Sequence, residues 1–317
     1  MKNPLSLKID FWGLVAAAGT LLCLFTVTGF LGRSWWLLDL TSHFRIQYAV
    51  LLAVFAVIGL IARKWRVALI FGSFMAVNLA VVIPYCFFGA TPARHKPAAL
   101  RVMLINVHTE NKHYDLVTKF IRERDPDLVL LEEVNGVWME DLAELKAAYP
   151  HLCEEAREDN FGIALFSKLP LKSSGIIYLG PAEIPSVSAE IEVGGRRMHI
   201  LGSHPLPPGS SENTTLRNQQ LRALAQKIRS WGGSVVLLGD LNTTAWSDSF
   251  GQLLRESGLR DSGRGLGLQT TWPANLSPLG IAIDHCLLSA DLKVVSRTVG
   301  ANVGSDHLPL IIELATE

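Results

Sequence analysis

The sequence has little cysteine, no internal repeat, no low-complexity tract and no dense run of lysine or arginine. Without repeats there is no basis for an array of stacked units, and without biased tracts no long stretch is unable to pack a core. Of the four cysteines, Cys23 and Cys86 fall in apolar segments, which leaves Cys153 and Cys286 as the one pair in the remainder. An oxidising compartment would permit a bond between them, but sequence fixes no Cα separation, so two buried thiols are the expectation. Lys and Arg total 29, as do Asp and Glu. That balance hides an uneven distribution. Residues 1–90 hold seven of the cations but only Asp10 and Asp39 of the acids, so the rest of the chain carries a net charge of about −5. Proteins that grip long nucleic acids usually present a basic face, because phosphate neutralisation supplies most of the affinity. The charge count weighs against such a partner, although a local basic groove could still be assembled by the fold.

What residues 1–90 have instead is apolar length. The segment 11–32 is uncharged and matches the roughly 20 apolar residues needed to cross a bilayer. Two further segments, 46–62 and 67–90, read the same way, the first at the short end of the range and the second interrupted by Asn78 and Pro84. Neighbouring helices can tolerate such interruptions. The expectation is a three-helix membrane region and not a cleaved leader, whose apolar core would be shorter and would not be followed by two more spans. Lys2 and Lys8 before the first span, and Arg63, Lys64 and Arg66 between the second and third, predict that both sites are cytoplasmic. Arg33 and Arg45 in the first connector weaken the contrast, but Trp35, Trp36 and Leu37 there have the character of an interfacial belt. The expected localisation is an inner or plasma membrane, with the domain that follows extracytoplasmic. A tether at 91–99, with Pro92, Arg94, His95, Lys96 and Pro97, separates the two regions.

Residues 100–317 alternate short Val-, Ile- and Leu-rich runs with helical stretches. Strands are predicted at 100–106, 128–131, 163–166, 188–193, 198–203, 235–239, 283–288 and 308–314, and helices at 114–124, 136–149, 211–231 and 247–258. Several runs end in groups that carry chemistry. Asn106 closes the first, Glu133 follows the second, Asp240 and Asn242 follow 235–239, and the Asp306-His307 pair stands just before the last. One strand-end carboxylate would mean little; several together suggest a metal-centred site suited to hydrolysis.

The motifs Asn106-Val107, Leu131-Glu132-Glu133-Val134, Gly202-Ser203-His204-Pro205, Gly239-Asp240-Leu241-Asn242, Ile283-Asp284-His285 and Ser305-Asp306-His307 occur in the order seen in one superfamily. From residue 100 to 314 the chain resembles the endonuclease/exonuclease/phosphatase, or deoxyribonuclease I-like, hydrolases. The resemblance implies a four-layer α/β sandwich of two mixed sheets flanked by helices, with strand-end loops forming the site. It implies Mg²⁺, with Mn²⁺ as a substitute, held by Glu133, Asn106 and Asp306, all hard oxygen donors. It further implies Asp240 as the group that orients or deprotonates the attacking water, Asn242 steadying the phosphoryl group, His204 on the opposite wall, and His307 oriented by Asp284. Which histidine acts as the acid stays open.

Glu132 stands where relatives more often have glutamine. Adjacent strand residues face opposite ways, so Glu132 and Glu133 are not expected to share a direction, and a contact of Glu132 with the site from the loop stays open. His285 is expected to support the site from behind or to be structural, with a direct role as the lesser alternative, and Lys168 is read as a strand cap. His108, Glu110 and Asn111 lie in a polar loop that could reach substrate but is read first as a solvated turn, Asn160 is open between a site contact and a turn, and Pro205, Pro207 and Pro208 stiffen a loop. The partners expected are the lipid bilayer and a phosphoester substrate; no protein partner can be inferred. The leading expectation is a membrane-anchored, metal-dependent phosphoesterase acting on a lipid headgroup or a small phosphoester near the membrane. A membrane-tethered nuclease is the alternative, and a non-enzymatic membrane module is a third, though that would need a missing catalytic residue and none is missing.

Overall fold

The computed structural model describes residues 10–89, 92–93, 95, 97–276 and 279–316. Lys2 and Lys8 of the orientation argument, and Arg94 and Lys96 of the tether, lie outside them. The chain divides into two compact units between Pro84 and Tyr85.

The first unit contains α1 (Phe11–Thr28), the short α2 (Trp36–Leu40), α3 (Arg45–Ile61) and most of α4 (Trp65–Phe87). Asp10 caps α1 by accepting from the Gly13 N–H at 2.6 Å. Two helices, α1 with 18 residues and α4 with 23, are long and apolar enough to span a membrane. The second predicted span, 46–62, corresponds to the shorter apolar helix α3, which has 17 residues, begins at the buried Arg45 and stops before Arg63, which takes a left-handed φ of 58°. The Arg45 guanidinium donates to the Thr26 carbonyl at 2.8 Å, and Asn78 within α4 donates to Thr26 Oγ1 at 2.8 Å. The polar groups that interrupt the apolar segments thus bond one another inside the unit, while Leu14, Leu24, Val54 and Leu69 are turned outward. Inside, Val15, Leu52, Ala56 and Phe71 form an apolar core, so the unit is apolar within and without apart from these bonded polar groups, unlike a water-soluble bundle with a polar outer face.

The second unit continues with β1 (Leu100–Asn106), α5 (Tyr114–Arg124), β2 (Leu128–Glu132), α6 (Gly136–Asp141), β3 (His151–Glu155), β4 (Ile163–Ser167), β5 (Ser173–Tyr178), β6 (Pro185–Val193) and β7 (Arg196–Ser203). Then come α7 (Ser211–Ser230), β8 (Ser234–Asp240), α8 (Asp248–Ser257), β9 (Arg260–Asp261), β10 (Asp284–Leu288), β11 (Leu292–Val299) and β12 (Leu310–Thr316). They form two six-stranded mixed sheets, ordered β11-β12-β1-β2-β4-β3 and β5-β6-β7-β8-β10-β9. Each sheet has one parallel pair at its centre, β1 with β2 and β7 with β8. Each of those pairs is joined by a crossover helix, α5 or α7, as parallel strands require.

Alternate residues of every central strand point to opposite faces, and this sorts the core into three layers. Val102, Leu104, Leu130, Ile200, Val236 and Leu238 fill the space between the sheets. Met103, Ile105, Val129 and Leu131 pack outward beneath α5 and α6, and Leu201, Val235 and Leu237 beneath α7 and α8. The result is a four-layer sandwich. Cys153 and Cys286 are buried free thiols.

Candidate active site

The inter-sheet face carries the chemistry to one edge of the sandwich. Leu100, Val102 and Leu104 lie on that face of β1, so Asn106 is the next residue to point there. The same two-residue step leads from Leu128 and Leu130 to Glu132, from Met198 and Ile200 past Gly202 to His204, and from Val236 and Leu238 to Asp240. Because β10 runs antiparallel to β8, its sequence Leu288, Cys286, Asp284 arrives at the same edge, with Asp284 opposite Asp240. All five polar groups are buried. They are tolerated because each meets a polar partner, within the group or on the loops around it.

His307 sits at the centre of these bonds. Its Nδ1 is 2.9 Å from Asp284 Oδ2, and its Nε2 is 3.6 Å from Asp240 Oδ2. His204 Nε2 approaches the same Asp240 oxygen at 3.5 Å. The loop that delivers His307 is fixed by Ser305, whose hydroxyl donates to the Asn106 carbonyl at 2.8 Å and accepts from the His307 N–H at 3.0 Å. Asn242, in left-handed backbone with φ 49°, donates its N–H to Asp240 Oδ1 and its side-chain amide to the Pro205 carbonyl, each at 2.9 Å. Phe161 packs 5.4 Å from the His204 ring, and Trp272 lies 6.5 Å from the His307 ring.

The charges follow from this crowding. Burial opposes the His307 imidazolium, but Asp284 and Asp240 outweigh it and its pKa is pushed up to about 10. Burial would raise Asp284, yet the His307 charge and hydrogen bond hold it below the ordinary carboxylate range. Asp240 is pushed up to about 8, by burial first, with the His307 charge pulling down and Asp284 pushing up. Burial lowers His204. The site therefore contains a charged and a neutral histidine on either side of one carboxyl group.

Beside this cluster lie the predicted metal ligands. Glu133 adopts φ 63°, which turns it out of the alternation that sends Glu132 between the sheets. Its Oε1 accepts from Asn106 Nδ2 at 2.9 Å, its Oε2 from the Thr109 N–H at 3.3 Å, and its carbonyl from Thr109 Oγ1 at 2.9 Å. His108 Nδ1 bridges the two carboxylates, 3.8 Å from Glu133 Oε2 and 3.4 Å from Asp306 Oδ1. Trp272 Nε1 donates to Asp306 Oδ2 at 3.0 Å. Among the described residues no Lys or Arg pairs with Glu133 or Asp306, so two carboxylates face each other with only an imidazole between. Also among the described residues, no three His, Cys, Asp or Glu form a closed cage. Two carboxylates and an amide fit an ion such as Mg²⁺, which prefers few protein oxygens and keeps several waters.

Other sequence expectations are corrected or completed. Glu132 does not reach the site from a loop. It is buried at the strand end, where Oε2 accepts the Asp240 N–H at 2.9 Å, and burial together with Asp240 pushes its pKa well above the carboxylate range. Gly239 makes room for this pairing, since a Cβ there would lie 1.9 Å from the Ser203 carbonyl and 2.9 Å from Glu132 Oε1. His285 faces outward, away from Asp284, with Nε2 at 2.9 Å from the Thr243 carbonyl and its ring 4.4 Å from Phe250, so it is structural. Lys168 braces Asp125. Asn111 is buried and bonds the Val107 carbonyl at 3.1 Å, so it shapes its loop; Glu110 and Asn160 are exposed. The turn reading of His108 is corrected by its position between Glu133 and Asp306. Trp272 was not legible as a site group, because it acts from a loop whose path no strand period reports.

Residues 103–307 match the sequence profile of the Endonuclease/Exonuclease/phosphatase family. The chain belongs to that family. Its members are hydrolases of phosphoester bonds. No curated protein matches the sequence. Among solved structures, the endonuclease/exonuclease/phosphatase from Bacteroides vulgatus is similar at TM-score 0.59 and 19% identity, covering 69% of this chain and 99% of that one. D. rerio TDP2 complexed with single-strand DNA product is similar at TM-score 0.56 and 17% identity, covering 68% and 99%. A variant of Staphylococcus aureus beta toxin with bound magnesium ions is similar at TM-score 0.52 and 17% identity, covering 68% and 99%. At these identities the likeness is one of fold.

Proposed function

We propose that this family member is a membrane-anchored, Mg²⁺-dependent hydrolase that cleaves a phosphoester of a lipid headgroup, or a small phosphoester close to the bilayer, by attack of water. The observation that carries the proposal is the continuous buried chain Asp284–His307–Asp240–His204 beside Glu133, Asn106 and Asp306. Asp240, held by the Asn242 and Glu132 bonds, is the group placed to orient the attacking water and take its proton. His307, kept protonated by Asp284, offers positive charge to the phosphoryl oxygens as they gain charge. His204 has a buried Nδ1 without a partner and so keeps a ring nitrogen for substrate. The Asn242 amide retains a second N–H for a phosphoryl oxygen. Glu133, Asn106 and Asp306 would hold the cation, which when bound neutralises phosphate charge; the magnesium of beta toxin is in keeping with that.

Three features support a lipid-proximal substrate. The helices α1 and α4 have spanning length, the chain after residue 90 is net negative, and Leu276 and Leu279 are exposed on the segment that carries Trp272 to Asp306. The Arg63, Lys64 and Arg66 cluster supports an extracytoplasmic catalytic unit in an inner or plasma membrane. The DNA complex of TDP2 keeps a nuclease as the competing reading. Detergent-solubilised full-length protein with Mg²⁺ or Mn²⁺ should be assayed against sphingomyelin, glycerophospholipids, inositol phosphates, DNA and RNA. Hydrolysis of a lipid or a small phosphoester in preference to nucleic acid is expected; cleavage of DNA with no action on lipids would replace this reading with the nuclease.

A further inference from the structure

A second cavity lies in the catalytic unit, away from the site described. It encloses about 800 Å³ and is walled by the end of β10, the short β9, the helix α8 and residues 85–89. β9 pairs with Leu287 and Leu288, and Leu288 is four residues along β10 from Asp284. At about 3.3 Å per residue that is roughly 13 Å from the catalytic edge.

The lining combines two characters that seldom meet without a ligand. Arg255, Arg260, Arg264 and Lys293 bring four cations to it, against one acid, Asp261. Asp261 is buried and already accepts from the Tyr85 hydroxyl and from the Gly263 N–H, the latter at 2.8 Å. Among the described residues neither Arg260 nor Arg264 has a carboxylate partner, and the only one near Arg255 is Asp248 at 4.0 Å. Arg260 is fixed by the Ala290 and Leu292 carbonyls at 2.7 and 2.9 Å, with its Nε buried and unbonded. Arg264 donates from Nε to the Phe88 carbonyl at 3.1 Å, which leaves its terminal nitrogens for another acceptor. The remaining wall is apolar, and at its mouth Phe87 and Phe88 are 72% and 67% exposed. Phe87 ends α4 and Phe88 follows it, so if α4 spans the membrane they stand where hydrocarbon gives way to headgroups.

The geometry points to this cavity as a binding site for one anionic phospholipid, with its phosphate on Arg255 and Arg264 and an acyl chain along the apolar wall. The inference rests on the membrane reading of α4. Cationic pockets at the ends of spanning helices suit acidic headgroups, and a volume near 800 Å³ is of ligand-binding size.

The test is native mass spectrometry of full-length protein in detergent, titrated with phosphatidylglycerol or phosphatidylcholine. A 1:1 phosphatidylglycerol adduct favoured at least tenfold over phosphatidylcholine is expected. It should weaken about tenfold or more in the Arg255→Gln/Arg264→Gln double variant, persist in Arg264→Lys, and be unaffected by Glu133→Gln in the active site. Arg260 is left intact because its carbonyl bonds support the fold, and unchanged turnover of the double variant on a soluble phosphoester would verify folding. Equal binding of the two lipids, or wild-type binding by the double variant, would overturn the inference. Displacement of the adduct by millimolar glycerol phosphate would overturn the lipid as occupant and assign a free phosphate. Carbonate extraction tests anchoring separately: protein released to the supernatant refutes the membrane reading itself, whereas protein retained in the pellet but indifferent to headgroup charge refutes only the lipid site.

Discussion

Replacing Asp284 with Asn leaves the shape of the site intact and removes one charge from its centre. In the wild type, His307 has its pKa pushed up to about 10 from an ordinary 6.5. That preference for the imidazolium amounts to about 5 kcal/mol, at about 1.4 kcal/mol for each tenfold. Asp284 supplies the largest favourable part of it, through its charge and the 2.9 Å hydrogen bond, while burial opposes it. In Asp284→Asn the burial penalty stays and only Asp240 remains to offset it, so the pKa should fall back to about 6.5 or below. At pH 8 the imidazolium fraction then drops about 30-fold, and with the loss of ring orientation turnover should fall at least about 100-fold. The assay is a pH–rate profile on a soluble phosphodiester at saturating Mg²⁺, with histidine protonation followed by nitrogen NMR. The alkaline limb should move to lower pH, and part of the lost rate should return near pH 6. Stability carries the same sign. His307 has a folded pKa above its unfolded one, so its contribution is complete below about pH 6.5 and is lost as pH rises toward 10. The variant should show a flatter decline over that window in urea titrations. A variant with an unmoved alkaline limb and turnover within about threefold of wild type would refute the assignment of His307 as a charge held by Asp284.

Other outcomes follow from the same geometry. Asp240→Asn and His307→Ala should each lower turnover by at least about 100-fold, with folding retained by circular dichroism; near-normal rates would remove that residue from the mechanism. Glu132→Gln should be close to silent in melting temperature, because burial already favours the neutral carboxyl and an amide oxygen can still accept the Asp240 N–H. Glu132→Ala should cost about 1–3 kcal/mol by leaving that N–H unpaired, and equal melting of the two variants would contradict this. A C-terminal alkaline phosphatase fusion should be active and a green fluorescent protein fusion dark, from the Arg63, Lys64 and Arg66 cluster; the opposite pattern would place the catalytic unit in the cytoplasm.

The parts of the fold legible in the sequence were those buried on both sides. The eight predicted strands all occur: β1, β2, β4, β8, β10 and β12 are rich in Val, Ile and Leu and largely buried, and β6 and β7 alternate buried apolar with more exposed residues. The strands β3, β5, β9 and β11 were not legible, and all four are sheet edges. Sequences such as His151-Leu152-Cys153-Glu154-Glu155 and Ser173-Ser174-Gly175 are half-exposed and polar, so they carry no apolar run. The predicted helix 136–149 is α-helical over Gly136–Asp141 and continues as a 3₁₀ helix over Leu142–Ala147. At the site, the strand-end groups could be read from position, since a two-residue step from the inter-sheet core leads to Asn106, Asp240 and Asp284. Glu132 followed the same step, but its partner Asp240 belongs to the other sheet, and sequence does not say which strands face each other. His108 escaped because a left-handed residue, φ 59°, turns it back over Glu133.

The central claim is that a divalent cation at Glu133, Asn106 and Asp306 serves the Asp240–His307 machinery. Its most direct test is the turnover of purified full-length protein on a phosphoester in excess EDTA, followed by titration with Mg²⁺, in wild type and Glu133→Gln. No turnover is expected in EDTA, with recovery on adding Mg²⁺ and a Glu133→Gln variant that folds normally but needs far more Mg²⁺ and turns over more slowly; full activity in EDTA would refute the cation's role.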